Sequence, residues 1–417
     1  MFRAVTACMI GSAFEWYDFA LYGYFAAVLG KLFFPSADPL VSLLATYGVF
    51  AAGFAMRPVG AVIFGHVGDK YGRKKALVAT IFLMTFPTVC LGLLPTYDHI
   101  GILAPILLTV IRLCQGLSIG GNLSGSFTFM IEYAPGHRRG LVGSLTLFSA
   151  LGGILIGSAM AAFATAMLDT GALETWGWRI PFLIGVLIGG VGFYMRIHIP
   201  ETPQYVKEME SEQAEGFPLK KIIKEHPVKV IRSIFVLLLN DVGFYVSFIF
   251  LTTYMTTIVK IPMDTALTIN TINMVILMSL VPVMGWVSDH VGRKPMMMLS
   301  SVMFFVLAIP VFNLIDQGGF WPPLFGQMLL GFSIVGFFGA MAAMLVEKFP
   351  TKGRYSALSL TINISATLFG GTAPFIVTSL MADTGWNHIP AYYLMAAGLI
   401  SFIALLSFKD RFRDPLL

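Results

Sequence analysis

Long apolar runs separated by short polar segments recur along the whole chain. Each run spans about 20 residues or more, the length that a helix needs to cross the ~30 Å hydrocarbon core of a bilayer. Helices are expected because an open sheet cannot satisfy its backbone groups in lipid, and the alternation typical of a β-barrel is absent from the sequence. The pattern therefore predicts an all-α integral membrane protein with twelve transmembrane helices, at about 7–30, 40–66, 76–95, 101–131, 141–168, 178–198, 229–259, 264–288, 296–315, 321–347, 355–381 and 388–408.

One polar segment, at about 199–228, is longer than the others and separates the sixth predicted span from the seventh. We interpret it as a solvated, partly helical linker. It divides the chain into an N-terminal six-helix half at 1–198 and a C-terminal six-helix half at 229–417.

The composition agrees with this class, since 57% of the residues are hydrophobic, 12% are charged and the mean hydropathy is +0.80. A soluble domain carries roughly 25% charged residues. The three cysteines all lie in apolar runs, so neither a disulfide framework nor a metal site is predicted. Neither a nucleophile–base pair nor a phosphate-binding loop is apparent, which argues against an enzyme and against an ATP-driven pump.

The distribution of basic residues predicts the orientation. Most of the 27 Lys and Arg residues fall on one side of the predicted topology. Lys31, Arg179 and Lys260 fall on the other side, and Arg57 and Arg112 lie within spans. The positive-inside rule then places both termini in the cytoplasm of a multi-pass protein of the cell (inner) membrane. This distribution also accounts for the pI of about 9.0 without a nucleic-acid partner.

The two halves contain a repeated motif. The sequence G-H-V-G-D-K-Y-G-R-K at 65–74 returns as G-W-V-S-D-H-V-G-R-K at 285–294. A second set repeats with a constant offset of its own, and it pairs Gly116 with Gly331, Gly121 with Gly336, Glu132 with Glu347, Pro135 with Pro350, Arg139 with Arg354, and Ser144 with Ser359. The halves are therefore predicted to be pseudo-symmetric about an axis along the membrane normal.

The repeated motif resembles the signature loop of the major facilitator superfamily. Its glycines permit a tight turn, and its aspartate is placed to meet a helix N-terminus and an arginine. The simpler alternative is a positively charged anchor with a turn. The resemblance implies the major facilitator fold and a cytoplasmic gate. Its predicted members are Asp69, Arg73, Asp289 and Arg293, with Glu132, Glu347, Arg139, Arg354 and Arg57 as further candidates.

Several strings narrow the resemblance to the metabolite:proton symporters, the family of proline/betaine, α-ketoglutarate, citrate and shikimate transporters. They are F-E-W-Y-D-F at 14–19, R-P-V-G-A at 57–61, R-L-C-Q-G at 112–116, W-G-W-R-I-P-F at 176–182 and E-T-P at 201–203. The chain departs from this family at Asn122, since members often carry a glutamate there, after the paired glycines of the fourth span. A carboxylate that takes part in substrate or proton binding is therefore missing.

Five ionisable residues lie inside apolar runs: Glu15, Asp18, Arg57, Arg112 and Asp241. Charges in hydrocarbon are costly and are usually functional. We predict that Arg112, with Arg57 as a second candidate, binds a substrate carboxylate, and that Asp18, Glu15 or Asp241 carries a coupled proton. The alternative is two structural bridges, Glu15 with Arg57 and Asp18 with Arg112. The other predicted substrate contacts are Asp241, Tyr17, Asn122, Asn240 and Tyr245.

These observations predict a proton-coupled symporter that imports a small carboxylate-bearing metabolite, such as proline, betaine, another amino acid or an organic acid, by alternating access. The alternatives are a facilitator-type sugar porter, an exporter, and a non-transporting membrane sensor. We expect no cofactor and no metal, a proton as the coupling ion, a monomer, and no partner other than the substrate and the bilayer.

Overall fold

A computed structural model describes residues 2–37, 39–203, 205–206, 227–351 and 353–416. These residues form helices joined by short connections, with no strand among them. In chain order the helices are α1 Phe2–Tyr24, α2 Ala26–Phe33, α3 Pro39–Ala55, α4 Arg57–Lys70, α5 Arg73–Leu93, α6 Tyr97–Ile100, α7 Leu103–Tyr133, a 3-10 turn Gly136–Arg138, α8 Arg139–Met167, α9 Thr170–Ala172, a π turn Leu173–Gly177, α10 Arg179–His198, α11 Pro227–Phe244, a π turn Tyr245–Phe250, α12 Leu251–Thr257, α13 Met263–Val291, α14 Arg293–Ile315, α15 Trp321–Lys348, α16 Arg354–Ser365, a π turn Ala366–Gly370, α17 Ala373–Thr384 and α18 Ile389–Leu406.

The predicted spans are confirmed as helices. Eleven of the described helical stretches are long and apolar enough to cross a membrane. The remaining predicted span corresponds to α1, the helix that carries Glu15 and Asp18. Most of the predicted linker at 199–228 lies outside the described residues, so the division of the chain at that segment stays a prediction.

Several predicted spans are interrupted rather than continuous. The first is interrupted at Phe25 and the second at Met56, just before Pro58. The seventh and eleventh spans each contain a π turn, at Tyr245–Phe250 and Ala366–Gly370. The apolar pattern does not predict π turns, because a single inserted residue leaves the overall hydrophobicity of a span unchanged.

The helices fall into two compact units. Unit 1 takes the described parts of Met1–Tyr133, Ser149–Leu219 and Thr351–Leu360, and unit 2 those of Ala134–Phe148, Lys220–Pro350 and Thr361–Leu417. The units therefore differ from the sequence halves in two places. The beginning of α8 belongs to unit 2, and the beginning of α16 belongs to unit 1.

In unit 1, α7 packs against α1, α3, α4 and α5, and α10 packs against α1 and α5. Glycines permit the closest of these approaches. A Cβ at Gly60 would overlap the backbone carbonyl of Leu117, and a Cβ at Gly116 would overlap that of Gly53. Small residues at such positions let transmembrane helices pack backbone to backbone. The result is a rigid frame around the polar side chains of α1 and α7.

In unit 2, α15 packs against α11, α13 and α14, and α18 packs against α11 and α14. The beginning of α8 lies against α13, where a Cβ at Gly140 would overlap the carbonyl of Gly285. The turns between α4 and α5 in unit 1 and between α13 and α14 in unit 2 are alike. Each contains a glycine with positive φ, Gly72 at 115° and Gly292 at 108°, which is the conformation that favours glycine.

Candidate functional site

A buried ion pair lies at the centre of unit 1. Arg112 of α7 donates from Nη1 to Oδ2 of Asp18 on α1, at 3.2 Å, and both side chains are almost fully buried. Gln115, one turn further along α7, donates from Nε2 to the same Oδ2 at 3.0 Å and accepts from Arg112 at 2.7 Å. Thr88 of α5 donates to the other carboxylate oxygen at 2.8 Å. Three helices thus converge on one carboxylate.

Aromatic rings surround the guanidinium group of Arg112. Its Cζ lies 4.3 Å from the ring centre of Tyr22 and 5.5 Å from that of Phe50. Phe50 in turn packs against Phe19 and Phe54, and Trp16 packs against Phe19. All four of these neighbours are only partly buried. The rings form a half-open apolar wall beside a buried charge, and such a wall favours cations as well as apolar groups.

Glu15 lies one turn before Asp18 on α1 and is also buried. Its Oε2 accepts a hydrogen bond from the side-chain amide of Asn122. Asn122 thus lies beside a carboxylate, and its predicted contact with the substrate stays a prediction. The guanidinium group of Arg57 lies 5.2 Å from the ring centre of Phe54. Arg57 thus belongs with the same aromatic wall as Arg112.

Tyr17 lies on a different face of α1. Its ring is buried against Gly185, and its hydroxyl donates to the carbonyl of Pro181 at 2.7 Å. Tyr22, rather than Tyr17, supplies the ring under the Arg112 guanidinium. The sequence contains the signal, because Tyr22 follows Asp18 by four residues and so shares its helix face.

Asp241 of α11 is a buried carboxylate of unit 2. Ser365, the last residue of α16, donates to its Oδ2, and Asn240 donates to its Oδ1 at 3.1 Å. A Cβ at Gly370 would lie 2.9 Å from the Tyr245 ring and 3.4 Å from the Asp241 Cβ, so Tyr245 belongs to the same cluster. A π turn follows directly after each of the two helices that meet here. Such turns are frequent at functional sites.

A second polar cluster in unit 2 escapes the sequence reasoning. Gln327 of α15 donates from Nε2 to the carbonyl of Ser247, inside the π turn after Asp241, at 2.8 Å. It also donates to Asn270 at 2.7 Å and accepts from Asn273 at 3.2 Å. The repeat provides a signal for it, because Gln327 precedes Gly331 by the same spacing as Arg112 precedes Gly116.

The duplicated loops cap helices in both units. In unit 1, Asp69 accepts from the backbone N–H groups of Tyr355 and Ser356, at 3.2 and 2.8 Å, at the start of α16. It also pairs with Arg73 at 2.7 Å. In unit 2, Asp289 accepts from Gly140 and Leu141, at 2.7 and 2.9 Å, at the start of α8, and pairs with Arg293 at 2.8 Å. An aspartate at a helix N-terminus is favoured by the helix dipole.

Four of the five remaining gate candidates form buried ion pairs beside these loops, whereas the fifth, Arg57, lies over the ring of Phe54. In unit 1, Arg354 donates to Glu132 at 2.8 Å, and Arg73 lies 3.7 Å from the same carboxylate. In unit 2, Glu347 lies 3.2 Å from Arg293 and 3.6 Å from Arg139. The structure thus brings together all eight predicted loop residues, four in each unit. Their role in a gate stays a prediction.

Two carboxylates from elsewhere in the chain also contact the duplicated loops, and the sequence analysis does not predict either contact. Glu201 accepts from the backbone N–H of Lys74 at the start of α5, at 3.1 Å, and Asp410 accepts from that of Lys294 at the start of α14, at 2.9 Å. Each carboxylate lies where a Cβ on Gly72 or Gly292 would be. No sequence signal links them, because their partners are backbone groups distant in the chain.

Each unit thus contains a buried polar cluster, as expected of a protein that moves small solutes, and no group of residues suited to a metal ion is found in the described part of the chain. Comparison with known proteins defines the class. Residues 4–232 match the family model described as "Sugar (and other) transporter", and residues 233–416 match that described as "Major Facilitator Superfamily". The fold resembles the proton:xylose symporter XylE of E. coli, with a TM-score of 0.83, 17% identity and coverage of 100% of this chain and 97% of that one. It also resembles the human organic anion transporter MFSD10, with a TM-score of 0.73, 15% identity and coverage of 97% and 99%. The protein is a multi-pass membrane transporter.

Sequence relatives refine this class. The proline/betaine transporter of Escherichia coli K12 is 37% identical over 99% of this chain and 84% of its own length. The glycine betaine/proline/ectoine/pipecolic acid transporter OusA of Dickeya dadantii is 36% identical over the same shares. A putative proline/betaine transporter of Staphylococcus aureus is 35% identical over 97% and 87%. The chain therefore belongs to the major facilitator superfamily and, within it, to the metabolite:proton symporter family that includes the proline/betaine transporters.

Proposed function

We propose that this transporter imports small carboxylate-bearing zwitterions of the proline and betaine type together with protons, by alternating access. The relatives from Escherichia coli and Dickeya dadantii, named as transporters of proline and betaine, support the substrate class. The observation that carries the proposal is the buried pair of Asp18 and Arg112 beside a half-open aromatic wall.

A substrate carboxylate and the Asp18 carboxylate compete for Arg112. While Asp18 is charged, it holds the guanidinium group at 3.2 Å. Protonation of Asp18 removes that attraction and frees the guanidinium group, whose planar fork binds a carboxylate through two parallel hydrogen bonds. A proton on Asp18 releases Arg112 for the substrate carboxylate. A substrate carboxylate on Arg112 in turn weakens the attraction that keeps Asp18 deprotonated, so the binding of substrate and the binding of the proton favour each other. This linkage is the requirement for symport.

The aromatic wall accounts for the other end of the substrate. Tyr22 and Phe50 lie against Arg112, and Phe19, Phe54 and Trp16 extend the wall from there. The π face of an aromatic ring attracts a secondary or quaternary ammonium group. A zwitterion whose charges are a few ångströms apart would place its carboxylate on Arg112 and its ammonium group on the neighbouring rings.

Unit 2 contributes the cluster of Asp241, Asn240, Tyr245 and Ser365, which offers a carboxylate and neutral hydrogen-bonding groups. We place the capping contacts of Asp69 and Asp289 in the cytoplasmic gate. These contacts join α4 to the beginning of α16, and α13 to the beginning of α8. Opening of the transporter to the cytoplasm would break them and expose the substrate site to that side.

The location belongs to the same proposal. We propose that the protein lies in the inner membrane, with both termini in the cytoplasm as the positive-inside rule predicts. A cytoplasm-active fluorescent fusion at the C-terminus should be bright, and a periplasm-active phosphatase fusion at the same place should be inactive. The reverse result would overturn the orientation.

Uptake into proteoliposomes tests the transport activity. Purified protein is reconstituted, an inward proton gradient is imposed, and accumulation of labelled proline, glycine betaine and xylose is measured with and without a protonophore. We expect accumulation of proline or glycine betaine above the external concentration, abolished by the protonophore. Accumulation of xylose alone would favour a sugar porter, and accumulation insensitive to the protonophore would overturn proton coupling.

Two substitutions of Arg112 test the site itself. Arg112→Lys keeps the charge but lacks the fork, and Arg112→Gln removes the charge. If the guanidinium group binds the substrate carboxylate, both variants should raise the KM for proline or betaine, and Arg112→Gln should raise it more. Equal KM values in the wild type and both variants would exclude Arg112 from the binding site.

A further inference from the structure

A groove runs along the outer surface of unit 1, between α5 and α10. It has a volume of about 470 Å³ and a wall that is almost entirely apolar. The lining residues are Lys74, Lys75, Val78, Ala79, Phe82, Phe193 and Ile197. Two lysines stand at one end, and apolar side chains fill the rest. The groove takes no part in the substrate site or the gate.

The lysines at this end are cations without a described counter-charge. Within the described part of the chain, neither ammonium group has a recorded hydrogen bond or ion pair. The nearby Glu201 carboxylate accepts from the backbone N–H groups of Lys74 and Thr202. Lys75 is exposed, and Lys74 is partly so.

The repeat makes this end of unit 1 distinctive. Lys294 occupies in unit 2 the position of Lys74, and its ammonium group donates to the carbonyls of Leu406 and Phe408, at 3.1 and 2.9 Å. The position of Lys75 is taken by Pro295, which has no charge. The pair of unengaged lysines, Lys74 and Lys75, is therefore a feature of unit 1 alone, and the duplicated motif by itself does not produce it.

The apolar part of the groove faces outward, as a surface exposed to lipid would. Phe82 is 53% exposed, and its ring packs against those of Phe86 and Phe193, at 5.9 and 6.1 Å between centroids. Along α5 the distance from Lys74 to Phe82 is about 12 Å at ~1.5 Å per residue. That length is close to the ~15 Å depth of one leaflet's hydrocarbon.

We propose that this groove binds one anionic phospholipid, with its phosphate between the ammonium groups of Lys74 and Lys75 and an acyl chain along Val78, Phe82 and Phe193. Basic residues at the end of an apolar surface between transmembrane helices suit a lipid of this charge. A soluble phosphate would gain from the lysines but not from the apolar wall. The ligand is therefore an amphiphile, and its binding does not depend on the identity of the transported substrate.

Native mass spectrometry of the purified full-length protein tests the site. The protein is titrated with phosphatidylglycerol or phosphatidylcholine of the same chains, and bound lipids are counted. We expect at least one phosphatidylglycerol retained in preference to phosphatidylcholine. The variant K74Q/K75Q should lower the apparent affinity for phosphatidylglycerol roughly 30-fold, because the attraction of one basic residue to anionic headgroups corresponds to about fivefold. Inorganic phosphate and glycerol phosphate should not compete.

A matched pair of controls separates this site from a general effect of charge. K229Q/R232Q removes two positive charges from the start of α11 and should leave phosphatidylglycerol binding unchanged. Ala79→Trp fills the groove with both lysines in place and should lower the binding of both lipids. The proposal is overturned if K74Q/K75Q and K229Q/R232Q lose the same affinity, if Ala79→Trp binds like the wild type, or if glycerol phosphate displaces the lipid.

Discussion

The ion pair of Asp18 and Arg112 allows a sharp test of whether a buried charge is functional or only structural. In Asp18→Asn the side chain keeps its shape but loses its charge. One of its two oxygens becomes an amide nitrogen, so it can no longer accept from both Thr88 on one side and Gln115 and Arg112 on the other. The guanidinium group of Arg112 is then a buried cation without a counter-ion.

The expected cost follows from burial. Arg112 is 3% exposed and Asp18 is fully buried. Removal of one partner from a buried pair typically destabilises a protein by about 3–5 kcal/mol, whereas removal of both charges together is often close to neutral. Asp18→Asn should therefore lower the thermal unfolding temperature in detergent, and D18N/R112Q should recover most of the loss. Glu174→Gln is the matched control, because its exposed pair with Lys31 is worth about 0–1 kcal/mol.

Transport assays then separate the two roles. If Asp18 carries the coupled proton, Asp18→Asn should abolish proton-driven accumulation of proline or betaine and remove its pH dependence. D18N/R112Q should remain inactive although its stability is restored. Asp18 does not carry the coupled proton if Asp18→Asn accumulates substrate with the wild-type pH profile, or if the double variant regains proton-driven accumulation together with stability.

Three further predictions concern helix packing, the loops and unit 2. Gly60→Ala places a methyl group against a backbone carbonyl of α7 and should lower the free energy of unfolding by about 1–3 kcal/mol. In the control Gly23→Ala, nothing lies within 4 Å of the new methyl group, so this variant should be as stable as the wild type or more stable. Equal effects of the two variants would contradict close packing at Gly60. Asp69→Asn and Asp289→Asn each weaken two backbone caps and an ion pair. Both variants should lower the Vmax of uptake while changing the substrate affinity, measured by thermal shift, much less. An unchanged Vmax in both would exclude a gate. Ser365→Ala removes a hydrogen bond to the buried Asp241 carboxylate and should cost about 1.5–3 kcal/mol in thermal unfolding. It should also raise KM if unit 2 binds substrate, and an unchanged KM would count against that role.

The sequence predicts the helices and the loops well, because both depend on local pattern. Apolar length locates each span within a few residues, and the duplicated motif predicts that Asp69 and Asp289 meet an arginine and a helix N-terminus. The motif cannot identify which helix is capped, since the partners are backbone N–H groups of α16 and α8. The same reason hides Glu201 and Asp410, whose partners are also backbone groups.

The sequence predicts most of the residues that lie in the buried polar clusters, but it does not predict all of the contacts between them. Arg112 meets Asp18, which the sequence offers as a possible bridge, and helix periodicity explains why Tyr22 accompanies them rather than Tyr17. Asn122 of α7 donates a hydrogen bond to Glu15. This pairing depends on the rotation of α1 and α7 about their axes, which the hydrophobic pattern does not determine closely enough.

The repeat copies hydrogen-bonding positions between the halves but not their charges. Arg112 and Gln327 occupy equivalent positions, and each anchors a buried network. The network of Arg112 ends on a carboxylate, whereas that of Gln327 ends on amides and on the carbonyl of Ser247 in a π turn. If the proposal is correct, a substrate carboxylate meets the cation Arg112 in unit 1, whereas Gln327, at the equivalent position of unit 2, offers a neutral amide. The ionic part of recognition is expected to belong to unit 1, and the π turn beside Asp241, held by Gln327, to set the geometry of unit 2.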